Sequence, residues 1–256
     1  MINMINLKDQ KVLITGGSRG IGRAAALLFA GAGADVAITY QCRDEAALAV
    51  QAEVAQKGRA CVIHKVELSR RDAVEAMVDD LIRSWGRIDS LVNNAGIWNY
   101  LEIGGGDVDT WKTMMAVNLD SLFYLANAVV PHMKKQGRGR IVNVGSTAGI
   151  RGEAYHSHYA ASKGAMNALT KSWAVEFAPW NINVNCVAPG WVDTDMCAEV
   201  FKDAAYRESV RQSIPLKRIP PPEDIAGPIL FLASELARHI TGAVLSVNGG
   251  GVLCGA

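Results

Sequence analysis

Lys-Val-Leu-Ile-Thr-Gly-Gly-Ser-Arg-Gly-Ile-Gly, residues 11–22, decides the fold of this chain. The apolar run Val12–Ile14 leads directly into the glycines, and an alanine-rich segment long enough for a helix follows them. Glycines at such a point allow a tight turn and a close approach of the backbone to a pyrophosphate. The following helix would direct its first N–H groups at the phosphates. The stretch therefore predicts a dinucleotide-binding unit.

The rest of the chain alternates short β-rich runs with longer helical patterns. Runs such as Ile141–Val144 are almost continuously apolar, which is typical of strands covered on both faces. The alternation predicts an α/β fold of Rossmann type, a doubly wound parallel sheet flanked by helices. Strands are predicted at Lys11–Thr15, Asp35–Tyr40, Ala60–Val66, Ile88–Asn93, Arg140–Val144, Asn181–Val187 and Ala243–Val247. Helices are predicted at Ile21–Ala32, Asp44–Lys57, Arg71–Trp85, Asp107–Lys135, Ser157–Phe177 and Glu223–Leu232.

No repeat or linker divides the sequence, so residues 1–256 are expected to form a single catalytic domain. Residues 191–222 interrupt the rhythm with mixed charges, a predicted short helix or two, and three consecutive prolines. An insertion there would lie above the carboxyl ends of the strands, where ligands bind in such sheets. We interpret this segment as a short substrate lid; the alternative is a surface excursion.

Composition argues against several classes of function. Half of the residues are hydrophobic, a fifth are charged and the net charge is +1, which gives no electrostatic reason to expect nucleic acid or a lipid surface as partner. No secretory signal is apparent, and no uncharged apolar run approaches the ~20 residues that span a bilayer. The five cysteines are scattered and are expected to be reduced thiols. A cytoplasmic protein without a metal site is therefore predicted.

The end of the second strand predicts which dinucleotide binds. NAD-binding units carry a carboxylate there for the ribose 2′-hydroxyl, but residues 38–43 read Ile-Thr-Tyr-Gln-Cys-Arg. Arg19 in the glycine loop and Arg43 after the strand could together hold a 2′-phosphate. The alternative is that Arg43 is solvated and that Asp44 caps the next helix. The two arginines favour NADP(H).

Tyr159 and Lys163 lie four residues apart, so their side chains share one face of the predicted helix. A free tyrosine has a pKa of about 10, and lowering that pKa to about 7 takes roughly 4 kcal/mol. One cation at ~4 Å in a partly desolvated site supplies about that much. The pair is interpreted as an acid/base group with a lowered tyrosine pKa, although such spacing also occurs on solvated helix faces.

From about Leu7 to the C-terminus, the chain resembles the classical short-chain dehydrogenase/reductase family. The glycine loop is similar to that family's Thr-Gly-x-x-x-Gly-x-Gly motif. The resemblance implies an oxidoreductase that transfers hydride between a nicotinamide and a carbonyl carbon. The later motifs are matched, in the family's order, by Asn93–Gly96, Asn118, Ser146, the Tyr159/Lys163 pair, Pro189–Gly190 and Thr194.

The resemblance also implies a role for each catalytic residue. Tyr159 would protonate the carbonyl oxygen, while Lys163 would lower the pKa of the tyrosine and bind the nicotinamide ribose. The Ser146 hydroxyl would polarise the carbonyl, unless it is only a turn or cap residue. Asn118 would hold a water that relays protons through Lys163; its alternative is to bond its own helix backbone.

The remaining predicted site residues surround the nucleotide and the substrate. Glu67 stands where the family often has an aspartate that contacts adenine, and its longer side chain is assigned the same contact. His156 and His158 flank the catalytic tyrosine as substrate contacts or structural residues, and Gly104–Gly106 forms either a gate or a surface turn. The cofactor-binding set is Gly16, Ser18, Arg19, Gly20, Ile21, Gly22, Tyr40, Arg43, Glu67, Leu68, Asn94, Ala95, Gly96, Tyr159, Lys163, Pro189, Gly190, Val192 and Thr194. The substrate-binding set is Trp98, Ser146, Glu153, His156 and Trp191.

Within the family, the chain is most similar to 3-oxoacyl-[acyl-carrier-protein] reductases of fatty acid biosynthesis. This implies NADPH-dependent reduction of a ketone on an acyl-carrier or small-molecule substrate. The alternatives are a dehydrogenase of a sugar, polyol or other secondary alcohol and, from another class, a cofactor-sensing protein without catalysis. Basic residues that would dock an acidic carrier near the active-site mouth, or that are simply solvated, are Lys134, Lys135, Arg138, Arg140, Arg207, Arg211, Lys217 and Arg218.

The two long helices predicted at Asp107–Lys135 and Ser157–Phe177 carry apolar residues on more than one face. Such helices need burial on two sides. The family pairs these helices across subunits, so a homotetramer is expected, and a dimer remains open.

Overall fold

Seven parallel strands form one sheet in the computed structural model, which describes residues 5–253. The reduced state predicted for Cys254 concerns a residue outside that range. Strands β1 to β7 comprise Lys11–Ile14, Asp35–Tyr40, Cys61–Lys65, Ser90–Asn93, Gly139–Val144, Ile182–Pro189 and Val244–Val247. Helices α1 to α9 comprise Gly20–Gly31, Asp44–Gln56, Arg71–Trp85, Val108–Met115, Ser121–Gln136, Ala148–Arg151, Ser157–Phe177, Ala204–Ser213 and Glu223–Leu232. Short 3₁₀ helices lie at Ala178–Trp180, Val200–Lys202 and Glu235–Ala237.

The order of the strands is β3-β2-β1-β4-β5-β6-β7, so the winding reverses at β1. Val12 of β1 lies beside Val36 of β2 on one side and beside Ser90 of β4 on the other. Because every pairing is parallel, all carboxyl ends meet at one edge, and a crevice opens outside β1 and β4. The predicted Rossmann-type fold is confirmed.

Helices cover both faces of the sheet. One hydrophobic core lies against α1, α2 and α9 and includes Phe29, Val50 and Ile225. The second core lies against α3, α5 and α7 and includes Leu81 and Leu125. Strands enclosed on both sides contact apolar side chains above and below, which explains their nearly continuous apolar sequences.

The helix predicted at Asp107–Lys135 is interrupted. Asp107 caps α4, because its carboxylate accepts from the backbone N–H groups of Asp109 and Thr110. A π-helical turn, Ala116–Asp120, then separates α4 from α5. Such wide turns occur frequently at functional sites, and this one carries Asn118.

The combined segment Val108–Gln136 has a mean hydropathy of 1.3 and is long and apolar enough to cross a membrane by length and composition alone. Its buried residues, such as Leu122 and Val129, belong to the core beneath the sheet. Core helices of soluble proteins share this composition. Trp111 and Phe123 of the same segment are exposed. Self-association and the absence of membrane binding stay predictions.

The segment of residues 191–222 contains one 3₁₀ helix and one α-helix, α8, in agreement with the prediction of one or two short helices. It has its own small hydrophobic cluster, in which Phe201, Val210 and Ile214 are buried and Trp191 packs against them. The segment is therefore folded, and its first residues, Trp191 and Val192 among them, line the cavity at the carboxyl ends of the strands. Its function as a lid stays a prediction.

Candidate active site

One cavity of about 620 Å³ opens at the carboxyl ends of the strands. It runs from the glycine loop after β1, past Ser146 and Tyr159, to the beginning of the segment 191–222. Of the predicted site residues, all line this cavity except Gly22, Asn118 and His156. The glycines at 104–106 do not line it either. Lining residues that the sequence analysis missed include Thr113, Arg151, Asp195, Met196 and Cys197.

The glycine loop is held in place by residues that follow β4. The Thr15 hydroxyl oxygen accepts from the backbone N–H groups of Asn94 and Ala95, each at 3.0 Å. The Asn94 amide donates to the carbonyl oxygens of Thr15 at 2.8 Å and of Gly16 at 3.1 Å. A Cβ atom at Gly22 would lie 2.3 Å from the Gly16 carbonyl oxygen, so only glycine fits there.

The loop and the start of α1 fit the pyrophosphate of a dinucleotide. Gly16 and Gly20 have φ angles of 65° and 52°, which would strain any residue with a side chain. Because glycine has no side chain, the backbone at these two positions faces the cavity directly. Among the described residues, no side chain caps the first N–H groups of α1. Uncapped N–H groups at a helix N-terminus form an anion site.

Arg19 and Arg43 both line the cavity near the end of β2, and a carboxylate from the segment 191–222 joins them. Their role in binding a 2′-phosphate stays a prediction. Asp195 Oδ2 lies 2.6 Å from an Nη atom of Arg43 and 3.3 Å from one of Arg19. Asp44 is not the cap of α2; it lies in the first turn and pairs with Lys65 at 3.0 Å. Sequence analysis missed Asp195 because the pairing joins residues 152 positions apart, Arg43 and Asp195.

The acidic residue that follows the third strand, Glu67, also lines the cavity. The Ser69 hydroxyl donates to Glu67 Oε1 at 3.0 Å, and Leu68 is buried beside it. The contact of Glu67 with adenine stays a prediction.

The catalytic tetrad predicted from sequence is gathered from three elements. Helix α7 carries Tyr159 and Lys163, and Ser146 follows β5. Tyr159 shares a hydrogen bond with Ser146, whose hydroxyl oxygen also accepts from the Ala148 backbone N–H at 3.1 Å. Ser146 is thus both a turn residue and a neighbour of the phenol. Lys163 Nζ donates to the Val144 carbonyl oxygen at 2.8 Å and lies 5.8 Å from the centre of the Tyr159 ring.

Asn118 lies behind this centre and fastens the π turn to the loop after β4. Its Oδ1 accepts from the Ile97 N–H at 2.8 Å, and its Nδ2 lies 2.9 Å from the Ile97 carbonyl oxygen and 3.3 Å from Ser162 Oγ. The side chain therefore bonds the backbone of a neighbouring loop rather than that of its own helix, where its contact is with Met114 Sδ at 2.9 Å. The water relay assigned to Asn118 stays a prediction, and the structure shows a positioning contact.

The pKa values differ from the sequence prediction. Burial raises the pKa of Tyr159 to about 12, although its hydrogen bond with Ser146 acts in the lowering direction. Burial lowers the pKa of Lys163 to about 8. The prediction of a lowered tyrosine pKa is wrong for this state of the protein, because Lys163 directs its ammonium to the Val144 carbonyl and desolvation dominates the tyrosine.

We expect Lys163 to make stability depend on pH in the absence of nucleotide. Its pKa falls from 10.5 to about 8 on folding, so between these values the unfolded chain binds more protons. Lys163 alone should therefore add a rise of roughly 2 kcal/mol to the free energy of unfolding from pH 8 to pH 10. Cys61 and Cys186, whose pKa values burial raises to about 11, and Tyr159 contribute in the opposite direction. In urea unfolding, the change in the free energy of unfolding from pH 8 to pH 10 should be lower by roughly 2 kcal/mol in Lys163→Met than in the parent, and Lys171→Met, an exposed lysine of the same helix, should match the parent. An equal change in all three proteins would contradict the buried-lysine account.

Comparison with known proteins identifies the family. Residues 16–251 match a family model described as "Enoyl-(Acyl carrier protein) reductase". The 3-oxoacyl-[acyl-carrier-protein] reductase FabG of Thermotoga maritima is 38% identical over 97% of this chain and 100% of its own. The chain belongs to the short-chain dehydrogenase/reductase family. It is an enzyme that acts on alcohol or ketone groups with a nicotinamide cofactor.

Other relatives of this short-chain dehydrogenase/reductase have different names. An L-rhamnose 1-dehydrogenase (NAD(P)(+)) of Azotobacter vinelandii is 37% identical over 95% of this chain and 97% of its own. A crystal structure of a putative short-chain alcohol dehydrogenase from Sinorhizobium meliloti 1021 superposes with a TM-score of 0.91 at 33% identity, covering 96% of this chain and 97% of that one. Similarity alone therefore supports both substrate classes considered from the sequence.

Aromatic rings line the part of the cavity that the sequence predicts to hold the substrate. Trp98 stacks on His156 with ring centres 4.5 Å apart, and it meets Trp191 edge to face at 6.0 Å. His156 therefore supports Trp98 from behind and does not line the cavity. His158 is buried and its Nε2 lies 2.7 Å from Asn99 Oδ1, which makes it structural.

The predicted basic patch at Lys134, Lys135, Arg138 and Arg140 is not near the active-site mouth. Arg140 is the second residue of β5, whereas the site lies where the strands end, so the two are at opposite edges of the sheet. There Arg138 pairs with Asp89 at 3.3 Å. The prediction failed because the direction of the strand was not considered.

Proposed function

We propose that this enzyme uses NADPH to reduce a ketone to a secondary alcohol. The observation that carries the cofactor assignment is the pair of guanidinium groups, Arg19 and Arg43, that lie within 3.3 Å of one carboxylate oxygen at the adenosine end of the cavity. Guanidinium groups bind phosphate through paired, charge-assisted hydrogen bonds. Strand β2 itself ends at Tyr40 without the carboxylate that would favour NAD(H).

The residues around Tyr159 are arranged for proton transfer to a carbonyl oxygen. When bound, the nicotinamide supplies the hydride. Tyr159, protonated at neutral pH because of its raised pKa, donates its proton to the oxygen as negative charge develops there. The Ser146 hydroxyl polarises the same carbonyl. Lys163, whose pKa of about 8 lies near neutrality, is the group proposed to return a proton to the phenolate, and its ammonium must leave the Val144 carbonyl oxygen to do so.

For the substrate, we propose a 3-oxoacyl thioester. The similarity to 3-oxoacyl-[acyl-carrier-protein] reductases supports this class. Trp98 and Trp191 offer an apolar wall for an acyl chain. Arginines of the segment 191–222 remain candidates for contacts with an acidic carrier, but Arg207 is paired with Asp193 at 2.6 Å. We therefore propose that the thioester itself binds in the cavity. We place less weight on contacts between an acyl-carrier protein and the arginines of the segment 191–222.

A sugar or polyol is the second candidate, and one observation favours it. Glu153 lines the cavity beside the Trp98 and Trp191 rings, and its carboxylate lies 3.8 Å from His156 Nδ1. A carboxylate accepts hydrogen bonds and does not donate them, so it suits a substrate with free hydroxyl groups. The similarity to L-rhamnose 1-dehydrogenase supports the same class.

Steady-state kinetics with each cofactor and each substrate class tests the proposal. We expect acetoacetyl thioester to be reduced, with a kcat/KM for NADPH roughly 10- to 100-fold above that for NADH, because two charged hydrogen-bond donors serve only the 2′-phosphate. A preference for NADH would overturn the cofactor assignment. Oxidation of sugars or cyclic alcohols without thioester turnover would select the second candidate. NADPH binding without turnover of any carbonyl would indicate the non-catalytic alternative.

A further inference from the structure

Asp195 occupies the two arginines on which the proposed use of NADP(H) depends. Its Oδ2 contacts both guanidinium groups, at 2.6 Å for Arg43 and 3.3 Å for Arg19. Within residues 5–253, neither arginine has another carboxylate within 4.0 Å. Roughly half of each side chain is exposed, so solvent weakens these ion pairs and a ligand can displace the carboxylate.

The neighbouring acidic groups are already engaged, so Asp195 has no substitute. Asp44, next to Arg43 in sequence, binds Lys65 at 3.0 Å and the Tyr40 hydroxyl. Glu67 accepts from Ser69. Neither carboxylate is directed at the arginine pair.

The backbone, and not the ion pairs alone, holds Asp195 at this position. The Asp193 N–H donates to the Pro220 carbonyl oxygen at 2.9 Å, and the Cys197 N–H donates to the Thr194 carbonyl oxygen at 3.0 Å. The Thr194 side chain lies over the glycine loop, where a Cβ atom at Gly20 would meet it at 3.5 Å. The carboxylate therefore stays close to the arginines after a ligand has displaced it.

A phosphate monoester such as the 2′-phosphate of NADP(H) carries about −1.5 to −2 charges at pH 7 and needs the donors that Asp195 holds. The 2′-hydroxyl of NAD(H) is neutral, so NAD(H) can bind while both guanidinium groups stay paired with Asp195. From this competition we infer that Asp195 limits the selectivity of the enzyme for NADP(H) by weakening the binding of NADP(H) relative to NAD(H). The inference rests on the proposed 2′-phosphate site.

Fluorescence titrations of the whole protein with NADPH and with NADH test the inference. Asp195→Asn keeps the shape of the side chain and removes the charge, so it should tighten NADPH binding by roughly three- to tenfold and change NADH binding by less than about twofold. The gain should shrink at high salt, because the repulsion is between exposed charges. In an Arg43→Gln background the gain should also shrink, because one competing partner is missing.

A matched control is Asp193→Asn. Asp193 lies two residues away, is similarly exposed, and pairs with Arg207 outside the cavity, so its loss should leave both affinities unchanged. If Asp195→Asn leaves the NADPH affinity unchanged, or tightens NADPH and NADH equally, the inference is overturned. Arg43→Gln separates this failure from that of the proposed function. Weaker NADPH binding in Arg43→Gln upholds the 2′-phosphate site, whereas unchanged binding removes that site and the inference with it.

Discussion

Tyr159→Phe is expected to lower kcat by about 10²- to 10⁴-fold while the affinity for the nucleotide changes little. Phenylalanine keeps the ring that lines the cavity and removes the one phenolic proton that lies beside Ser146. The Ser146 hydroxyl remains to polarise the carbonyl, so a residual rate is expected. Steady-state kinetics combined with nucleotide titration measures both quantities.

Tyr155→Phe is the matched control for this variant. Tyr155 lies four residues earlier, is exposed, and stacks on Tyr100 with ring centres 5.6 Å apart. Its hydroxyl has no part in the proposed proton transfer, so kcat should stay within about twofold of the unsubstituted enzyme. A Tyr159→Phe enzyme that retains more than a tenth of the original kcat would remove the tyrosine from the mechanism.

Gly22→Ala is expected to weaken nucleotide binding by at least roughly tenfold and to destabilise the fold by about 1–3 kcal/mol. The added Cβ atom would lie 2.3 Å from the Gly16 carbonyl oxygen and 2.6 Å from Asn94 Nδ2. Both atoms belong to the contacts that shape the glycine loop, so relief of the clash must move the loop. NADPH titration and urea unfolding report the two effects.

Gly31→Ala in the same helix separates the steric effect from the general effect of alanine. Apart from its chain neighbours and the backbone of its own helix, no described atom lies within 4 Å of a Cβ atom at Gly31, and alanine has a higher helix propensity than glycine. This variant should be as stable as the parent, or more stable by up to about 1 kcal/mol, with unchanged nucleotide affinity. Equal effects at the two glycines would refute the account of the loop.

Much of the fold follows from local sequence patterns. Two long helices were predicted with correct bounds, at Arg71–Trp85 and Ser157–Phe177. Strand ends differ by up to two residues, because pairing with a neighbour decides where a strand stops. The π turn that contains Asn118 could not be predicted, since it depends on bonds to Ile97, which is distant in sequence.

Site residues that belong to recognisable sequence motifs were predicted from the sequence. Site residues whose position depends on packing between distant parts of the chain were missed. The glycine loop and the Tyr159/Lys163 pair have sequence signatures, and the structure brings them to one cavity. The pKa of Tyr159 depends on burial, which spacing along a helix does not reveal. Asp195 was missed because its partners are set by the way the segment 191–222 folds back. The basic cluster at Arg140 was misplaced, although the direction of its strand could have been read from the sequence.

The hydrogen bonds from the Asn94 side chain to the glycine loop, called the Asn94 clasp below, affect how the protein can bind its cofactor while it is synthesised on the ribosome. The bond from the Asn94 amide to Thr15 spans 79 positions, so the first βαβ unit cannot shape its own phosphate cradle. A nascent chain that ends before the fourth strand lacks the clasp, and it cannot capture a dinucleotide as the finished enzyme does. Cofactor can therefore help to stabilise the emerging polypeptide only after about the first hundred residues have left the exit tunnel, since ligands stabilise only the state that binds them.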